Sequence, residues 1–460
     1  MALIKSISGI RGTIGGSAGD NLTAQDIVSS AAGYGAWLLK QKDQPKVVIG
    51  RDARISGELV NSLVISTLRM MGINVVDLGL STTPTVEIAV VEEAADGGII
   101  LTASHNPKEW NALKLLNQRG EFISAQDGQD LLHMIQGGQI QYASVDQLGK
   151  LEKKVGYIDL HIQQILALPL VNVAAIQEKK FKIVVDCVNS TGALILPKLL
   201  TDLGCQVVLL NGDPTGDFAH NPEPLPKNLS SLSKIVLETK ADLGIAVDPD
   251  VDRLAFVCED GEMFGEEYTL VAIADYILQH KKGNTVSNLS STRALRDVTE
   301  KHGGTYHAAA VGEVNVVEKM KACNAVIGGE GNGGVIYPNY HYGRDAVVGI
   351  ALFLSHLAAY GNTVSRLRST YPSYTISKNK IQLTPDINIE VLLAKLQNKY
   401  QNYPLNTIDG LKIEFDKDWI HLRKSNTEPI IRIYTESNSE TVATNLARKI
   451  QMDIQEILKE

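Results

Sequence analysis

Short runs of β-branched and apolar residues alternate with helix-length segments along most of the chain, and this alternation is the strongest constraint on its fold. The strand-like runs fall at 46–50, 73–78, 98–102, 182–186, 206–210, 242–247, 285–289 and 325–328. Segments such as 57–71 separate them and have the length of a helix. Strands that alternate with helices are typical of largely parallel sheets. Because the pattern restarts twice, the sequence predicts three similar α/β domains with mixed, mostly parallel sheets.

The rhythm changes in the last fifth of the chain. Strand-like runs then follow one another at 375–383, 411–415, 419–423 and 430–435, with helical patterns at 388–399 and 440–458. This arrangement predicts a smaller α+β domain, in which an antiparallel sheet carries helices on one side. A chain of 460 residues is also too long for a single core. We therefore predict four domains, at 1–150, 151–258, 259–370 and 371–460.

The composition is that of an ordinary globular protein, with 44% hydrophobic and 21% charged residues. The formal net charge of -8 gives no support for nucleic-acid binding. The four cysteines form no Cys-x-x-Cys pair, which favours reduced thiols and a cytoplasmic location. The start of the chain has no long apolar signal core, and the most apolar later segment, 346–360, is too short to span a bilayer. We expect that segment to form a buried helix, and we expect no membrane contact.

One serine, Ser104, stands in the segment Thr-Ala-Ser-His-Asn-Pro directly after a strand-like run. Loops that follow strands are where α/β proteins carry active groups. A serine hydroxyl is a weak nucleophile unless its surroundings activate it. The alternative is an ordinary Ser/Asn/Pro turn.

Three aspartates, Asp248, Asp250 and Asp252, follow another strand-like run at alternate positions. Clustered carboxylates repel one another without a cation, and their oxygens suit a hard divalent metal. A calcium EF-hand loop is one alternative, since Glu259 falls at its twelfth position. However, Arg253 stands at the sixth position, where that loop needs glycine, and a strand-like run follows. The pattern therefore favours Mg²⁺.

Two later segments also contain candidate binding residues. Glu330 lies in a glycine-rich loop, where its carboxylate can accept hydrogen bonds from hydroxyl groups; the alternative is a plain turn. The other segment contains Arg423, Ser425, Asn426 and Thr427 and precedes a proline and a strand. Arginine grips phosphate with two parallel hydrogen bonds, and hydroxyl and backbone N–H groups add donors. The alternative for this segment is a solvated surface turn.

These four motifs, in this order and across almost the whole chain, resemble those of the α-D-phosphohexomutase family. The resemblance implies three α/β domains and a smaller fourth around a central cleft. It implies that Ser104 carries a phosphate that is donated to a sugar and taken back, in a loop that His105 orients. It also implies that the three aspartates and the phosphorylated serine hold Mg²⁺, with Arg253 adding positive charge beside the transferred group.

The resemblance assigns further residues. Those expected near the reacting phosphate are Lys114, as an aid to proton transfer, and Arg11. Those expected to bind the sugar are Glu330, Asn332, Gly312 and Glu313. Those expected to hold the phosphate that is not transferred are Arg423, Ser425, Asn426, Thr427 and Arg432. For Lys114 the alternative is a surface lysine, and the segment 50–54 is expected to give structural support only.

Two positions depart from the family pattern. Many relatives have a serine where this chain has Asn332. Some relatives have a histidine, a proposed proton carrier, where this chain has Gly334. One general acid/base is therefore unassigned, and His341 is a weak substitute for it.

The resemblance implies interconversion of hexose 6-phosphate and hexose 1-phosphate through a bisphosphorylated sugar, with hexose 1,6-bisphosphate as activator. The segments 311–315 and 329–334 look most like those of the family branch that acts on glucosamine phosphate, and this resemblance favours that substrate over glucose or mannose phosphate. Glu313 could attract the ammonium group of glucosamine; the alternative is a solvent-facing acid at a helix start. The expected partner is a small phosphosugar, and the expected assembly is a monomer or a homodimer.

Two functions from other classes stay open at this point. A haloacid-dehalogenase-type phosphatase or mutase would use Asp248 as the phosphorylated nucleophile and Asp250 as acid/base. A non-catalytic phosphosugar-binding protein would need a broken site, yet the serine, the aspartates and the arginine segment are all present.

Overall fold

The structure is a computed structural model that describes residues 3–6, 9–137, 140–382, 387–424 and 430–459. The chain forms two compact units. The first unit contains Met1–Tyr276 and Asn332–Arg368, and the second contains Ile277–Gly331 and Ser369–Glu460.

The first part of the first unit is built on a seven-stranded mixed sheet. Its strands are β1 (Ile4–Ser6), β2 (Gly9–Thr13), β3 (Lys46–Arg51), β4 (Asn74–Leu80), β5 (Gly97–Leu101), β6 (Trp110–Asn117) and β7 (Leu151–Lys153). Its helices are α1 (Ala24–Leu39), α2 (Gly57–Met70), α3 (Thr83–Glu92) and α4 (Ala125–Gly137). The strand order is β1-β2-β6-β5-β3-β4-β7, with parallel pairing from β5 to β7 and antiparallel pairing elsewhere.

Helices cover both faces of this sheet because alternate strand residues point to opposite sides. Val47 and Ile49 of β3 belong to the core beneath α1, α2 and α4. Val48, between them, belongs to a second core beneath α3. The near-continuous apolar runs of the sequence thus reflect strands buried on two sides.

A second sheet of the first unit has the order β11-β10-β8-β9. The elements of this part are α5 (Tyr157–Leu166), α6 (Val173–Lys179), β8 (Lys182–Asp186), α7 (Gly192–Asp202), β9 (Gln206–Leu210), α8 (Ser230–Thr239), β10 (Leu243–Val247) and β11 (Leu254–Cys258). Strands β8, β9 and β10 are parallel, and β11 pairs antiparallel with β10. The hairpin between β10 and β11 carries the three aspartates.

The next elements along the chain are α9 (Glu266–His280), β12 (Asn284–Asn288), α10 (Ala294–Lys301), β13 (Tyr306–Ala309), α11 (Glu313–Cys323), β14 (Ala325–Glu330), β15 (Gly334–Ile336), α12 (Ala346–Tyr360) and α13 (Val364–Arg368). Strand β12 pairs in parallel with both β13 and β14. Helix α12 lies in the first unit and packs against α5, α6 and α7. Its residues from 346 to 358 are buried, so the predicted buried helix is confirmed. Among the described residues, no helix combines the length and the apolar character needed to cross a bilayer.

The last part of the second unit contains β16 (Thr375–Gln382), α14 (Ile389–Lys399), β17 (Leu405–Asn406), β18 (Leu411–Glu414), β19 (Trp419–Lys424), β20 (Ile430–Ser437) and α15 (Glu440–Ile457). Its sheet, ordered β16-β20-β19-β18-β17, is antiparallel throughout. Ile420 and Leu422 of β19 share one core with residues of α14 and α15. The intervening residues of β19 therefore face away from the helices. The predicted fold class is confirmed, whereas the domain boundaries stay a prediction.

Candidate active site

Ser104 lies in the loop that follows β5, and its backbone has a φ of 49°. A positive φ is uncommon for a residue with a side chain, and such conformations cluster at functional sites. The side chain of Thr102 fixes this turn by accepting a hydrogen bond from the Ser104 N–H at 2.9 Å. The Ser104 hydroxyl donates to Oδ2 of Asp248 at 2.6 Å. The loop thus presents the hydroxyl directly to the acidic hairpin.

The side chain of Arg54 fixes this loop through hydrogen bonds to its backbone. Its guanidinium donates to the carbonyl oxygens of Asn106 and Pro107 at 2.7 Å, of Trp110 at 3.0 Å, and also of Ser104. Asp52 pairs with Arg54 at 2.9 Å, and both side chains are fully buried. Four carbonyl groups of one loop are therefore fixed by a single planar cation.

His105 and Arg11 flank the serine. His105 Nδ1 lies 3.3 Å from the Ser104 hydroxyl. Burial, and the nearby guanidinium groups of Arg253 and Arg11, hold the pKa of His105 well below its usual range. The imidazole is therefore neutral at neutral pH. Arg11, on β2, donates to Oδ1 of Asn106 at 2.8 Å.

The three aspartates are completely buried, and one oxygen from each lies within 4.8 Å of the others. Asp248 Oδ1 accepts from the backbone N–H groups of Asp252 and Arg253, both at 3.1 Å. Burial, together with the negative charges of Asp252 and Asp250, raises the pKa of Asp248 well above its usual range. The buried carboxylates of this hairpin therefore repel one another in the absence of a cation.

Cationic and hydroxyl groups secure one oxygen of each remaining carboxylate. Lys114 donates to Asp250 Oδ2 at 2.7 Å and to Asp252 Oδ2 at 3.1 Å. Thr83 donates to the same Asp250 oxygen at 2.5 Å, and Arg344 to the same Asp252 oxygen at 2.7 Å. The other oxygen of both carboxylates, Oδ1, is buried without a hydrogen-bond partner. Orphaned buried carboxylate oxygens with excess negative charge fit a divalent cation.

Lys114 is buried on β6. Burial opposes its charge, but Asp250 and Asp252 raise the pKa of Lys114 to about 12. It is a fixed ammonium ion at neutral pH, and the surface-lysine alternative is wrong.

The Arg253 side chain is largely buried in the same hairpin. Its guanidinium lies 3.5 Å from Glu223 and 4.0 Å from Asp252. These are loose ion contacts, and Arg253 Nε has no hydrogen-bond partner.

The imidazole of His341 lies between two carboxylates. Its Nε2 lies 3.1 Å from Asp345 Oδ2, and its Nδ1 lies 3.4 Å from Glu87 Oε2. Burial lowers the pKa of His341, but these two carboxylates outweigh it and raise the pKa to about 10. Asp345 also binds His161 at 3.0 Å and caps the start of α12. His341 is therefore a cation paired with two carboxylates, and these contacts do not favour the acid/base role.

The second unit contains the sugar-binding candidates Glu330, Gly312 and Glu313. Glu330, at the end of β14, accepts hydrogen bonds at Oε1 from the Asn288 amide at 2.8 Å and from the Gly312 N–H at 3.1 Å. Glu313 is the first residue of α11 and is 8% exposed, so the solvent-facing alternative is wrong. Asn332, in the first unit, caps the next turn by accepting from the Gly334 N–H at 3.1 Å.

The phosphate-binding candidates Arg423 and Arg432 are directly opposite each other on β19 and β20. Both lie on the face of the sheet that points away from α14 and α15. Lys380 on β16 is in turn opposite Arg432. Like charges opposite one another destabilise a sheet, so this row of cations favours an anionic ligand. The other candidates, Ser425, Asn426 and Thr427, lie outside the described residues.

Four family models match the chain in succession. They are the phosphoglucomutase/phosphomannomutase alpha/beta/alpha domains I, II and III, at 3–139, 159–261 and 265–374, and the C-terminal domain at 383–451. The chain belongs to the α-D-phosphohexomutase family. It is therefore a phosphohexomutase, an enzyme of the isomerase class, and the phosphatase and non-catalytic alternatives are wrong.

Individual relatives in this family differ in their named substrates. The chain is 36% identical to a phosphoglucomutase/phosphomannomutase of Thermococcus kodakarensis over 438 residues, covering 94% of this chain and 95% of that one. It is 33% identical to a probable phosphoglucosamine mutase of Methanopyrus kandleri over 444 residues, covering 95% of each chain. The crystal structure of a family protein from Burkholderia thailandensis superimposes with a TM-score of 0.85 at 27% identity, covering 99% of this chain and 97% of that one.

Among the contacts of this phosphohexomutase, those of Arg344, Thr83 and Asn288 were not predicted. Arg344 packs closely against the glycine-rich segment that contains Gly334. A Cβ added at Gly334 would lie 2.4 Å from Cδ of Arg344. The Arg344 side chain thus fills the space into which a side chain at position 334 would project. The only sequence signal for Arg344 is its position beside Asp345, before an apolar helix.

Proposed function

We propose that this phosphohexomutase interconverts hexose 6-phosphates and hexose 1-phosphates through a phosphate carried on Ser104. The hydrogen bond between the Ser104 hydroxyl and Asp248, from a backbone with positive φ, carries this proposal. It joins a serine with an uncommon backbone conformation to the hairpin that carries the three aspartates.

The proposed reaction is a reversible phosphoryl exchange. The bond between phosphorus and Ser104 Oγ breaks, and a bond from phosphorus to a sugar hydroxyl oxygen forms. The proton of that hydroxyl ends on Ser104 Oγ, which returns to a hydroxyl group. The resulting hexose 1,6-bisphosphate turns over and gives its other phosphate back to Ser104.

Three side chains of this chain support the exchange. Lys114, an ammonium ion at neutral pH, stabilises negative charge on the hairpin and is our candidate for assisting proton transfer. His105, neutral and 3.3 Å from Ser104 Oγ, orients the serine and can accept a proton. Arg253 adds fixed positive charge beside the transferred group.

The metal proposal concerns Asp248, Asp250 and Asp252 together with the phosphate on Ser104. These groups would hold Mg²⁺, which when bound offsets the phosphate charge and polarises phosphorus. The orphaned oxygens of Asp250 and Asp252 support this assignment.

Glu330 would hold the sugar. The row of cations on the C-terminal sheet, Arg423, Arg432 and Lys380, which we call the basic row, would hold the phosphate that is not transferred. The Glu330 carboxylate accepts two sugar hydroxyls, and an acid used this way grips the ring in either orientation. Arg423 and Arg432 bind the phosphate that is not transferred, together with Ser425, Asn426 and Thr427.

We propose glucosamine 6-phosphate as the preferred substrate. Glu330 would bind hydroxyl groups that all these hexoses share. Discrimination among the hexose phosphates therefore needs a protein group that contacts the substituent at sugar position 2. Glu313 is a partly desolvated acid next to Gly312, and a charge pair with the sugar ammonium there is worth about 1–3 kcal/mol. That corresponds to roughly ten- to a hundredfold in kcat/KM. Glucose or mannose phosphate is the second candidate, because the Thermococcus kodakarensis relative bears those names.

Two measurements test these proposals. Mass spectrometry should find one acid-stable phosphate on Ser104, and Ser104→Ala should abolish mutase turnover. A hydroxylamine-labile phosphate on Asp248, or near-normal turnover in Ser104→Ala, would contradict the mechanism.

Substrate choice is tested by kcat/KM for the 6-phosphates of glucosamine, glucose, mannose and N-acetylglucosamine, in wild type and in Glu313→Gln. Wild type should prefer glucosamine 6-phosphate, and Glu313→Gln should reduce that preference. A wild-type preference for glucose or mannose phosphate would refute the substrate but not the mutase reaction.

A further inference from the structure

Asp409 occupies the turn between β17 and β18 in the second unit, outside every motif used so far. Its Oδ2 accepts a hydrogen bond from the backbone N–H of Val311 at 3.0 Å. The same oxygen lies 3.2 Å from Nε of Arg423. One carboxylate oxygen therefore contacts both Arg423 and the loop before α11, which leads into the sugar-binding candidates Gly312 and Glu313.

The turn that carries Asp409 packs closely against β19. Gly410 has a φ of 77°, and a Cβ added there would lie 2.1 Å from the carbonyl oxygen of Leu422. The turn therefore lies close against β19 and needs glycine. The carbonyl oxygen of Asp409 accepts from His421 Nε2 at 2.7 Å. Because a carbonyl can only accept, Nε2 is the protonated nitrogen of that imidazole.

His421 extends the chain of contacts towards the sugar-binding acid. Burial lowers the pKa of His421 to about 4, so its ring is neutral and Nδ1 accepts from the Ser290 hydroxyl at 2.9 Å. The Ser290 N–H donates to Asn288 Oδ1 at 2.9 Å. The Asn288 amide in turn donates to Glu330 Oε1 at 2.8 Å.

The contacts close into a ring within the second unit. Glu330 Oε1 also accepts from the N–H of Gly312, the residue after Val311. Asp409 is thus connected to Glu330 by two routes, through Val311 and Gly312 and through His421, Ser290 and Asn288. The Arg423 side chain meets this ring at Asp409.

We infer that Asp409 is a positioning residue that couples the sugar-binding acid Glu330 to the phosphate-binding Arg423, so that both ends of one phosphosugar are gripped together. This inference rests on the proposed function. Holding a flexible arginine in its binding orientation before the ligand arrives improves affinity, because less freedom is lost on binding. The contact is ionic and not an aligned hydrogen bond.

The first test compares Asp409→Asn, Asp409→Glu and a matched control, Asp416→Asn, for the hexose 6-phosphate that wild type turns over fastest. Asp416 is an exposed acid in the turn after β18. Asp409→Asn should raise KM about tenfold, the size of one lost charge-assisted contact, with kcat changed less than about twofold. Asp409→Glu should recover part of that loss, and Asp416→Asn should match wild type. Thermal unfolding should show Asp409→Asn folded at the assay temperature.

The second test is a double-mutant cycle between Arg423→Ala and Asn288→Ala, measured as KM. With Asp409 present, the two changes should deviate from additivity by about threefold or more. In the Asp409→Asn background they should be additive.

The outcomes separate this inference from the function on which it rests. A raised KM in Arg423→Ala, with Asp409→Asn behaving like Asp416→Asn, would overturn the coupling alone. Additive effects with Asp409 present would do the same. An unchanged KM in Arg423→Ala would overturn the phosphate-binding role and the coupling together.

Discussion

The guanidinium of Arg54 donates a hydrogen bond to the carbonyl oxygen of Ser104 while it is paired with a fully buried carboxylate. Arg54 and Ser104 are 50 positions apart in the chain. The conformation of the serine loop, including its positive φ, therefore depends on a residue of the neighbouring strand end and not on the loop sequence alone.

We predict that Arg54→Lys lowers kcat about tenfold or more while leaving the protein folded. A lysine keeps the positive charge opposite Asp52, but its compact ammonium cannot reach all four carbonyl groups. Arg54→Ala should be worse, with a loss of about 3–5 kcal/mol in unfolding free energy, because Asp52 is left as an unpaired buried charge. Turnover and thermal unfolding of both variants measure these effects. Lys108→Ala, on the exposed side of the same loop, is the control and should match wild type.

The acidic hairpin gives a prediction about metal. Asp250→Asn and Asp252→Asn should each weaken Mg²⁺ binding, measured by calorimetry, and lower kcat by about a hundredfold, the size of one lost electrostatic contact of ~3 kcal/mol. Excess EDTA should abolish turnover in wild type, and added Mg²⁺ should restore it. Full activity in EDTA would remove the metal from the mechanism.

His341 gives a prediction about pH. Its pKa is raised from 6.5 to about 10 in the folded protein, so its stabilising effect is complete below pH 6.5 and is lost as pH rises towards 10. Its side chain is still 16% exposed, which reduces the effect to about 2–4 kcal/mol. The unfolding free energy of wild type minus that of His341→Gln should therefore be largest near pH 6 and fall steadily up to pH 10.

The same variant separates structure from catalysis. If His341 only holds Asp345 and Glu87, His341→Gln should keep a near-normal kcat at pH 7. A large loss of kcat without loss of stability would restore His341 as the missing acid/base.

The sequence was informative where chemistry sits at strand ends. Ser104 follows β5 and the aspartates follow β10, so a local pattern of an apolar run followed by polar residues was enough to predict both. It was uninformative where contacts depend on tertiary packing. Arg344 reaches Asp252 across 92 positions, and no periodicity around Arg344 indicates this.

Lys114 is an intermediate case. Ala112, Leu113, Leu115 and Leu116 surround it in the sequence, and all four are buried. A lone lysine in such a run is a signal for a buried, paired cation, because an unpaired one would be too costly. Its partners could not be predicted, since they come from a different sheet.

The last prediction concerns the two adjacent cations of β19. Arg423 faces away from the helices, opposite Arg432, whereas Lys424 is exposed at the end of the strand. Arg423→Ala should therefore raise KM for the hexose phosphate by about tenfold or more, and Lys424→Ala by less than about twofold. Inorganic phosphate offers a readout that does not depend on turnover, because a ligand that binds only the folded state raises Tm. Phosphate should raise the Tm of wild type and of Lys424→Ala by similar amounts, and that of Arg423→Ala much less. Equal effects of the two substitutions on both KM and the phosphate-induced shift would mean that the basic row acts only through its overall charge and not as a directed clamp.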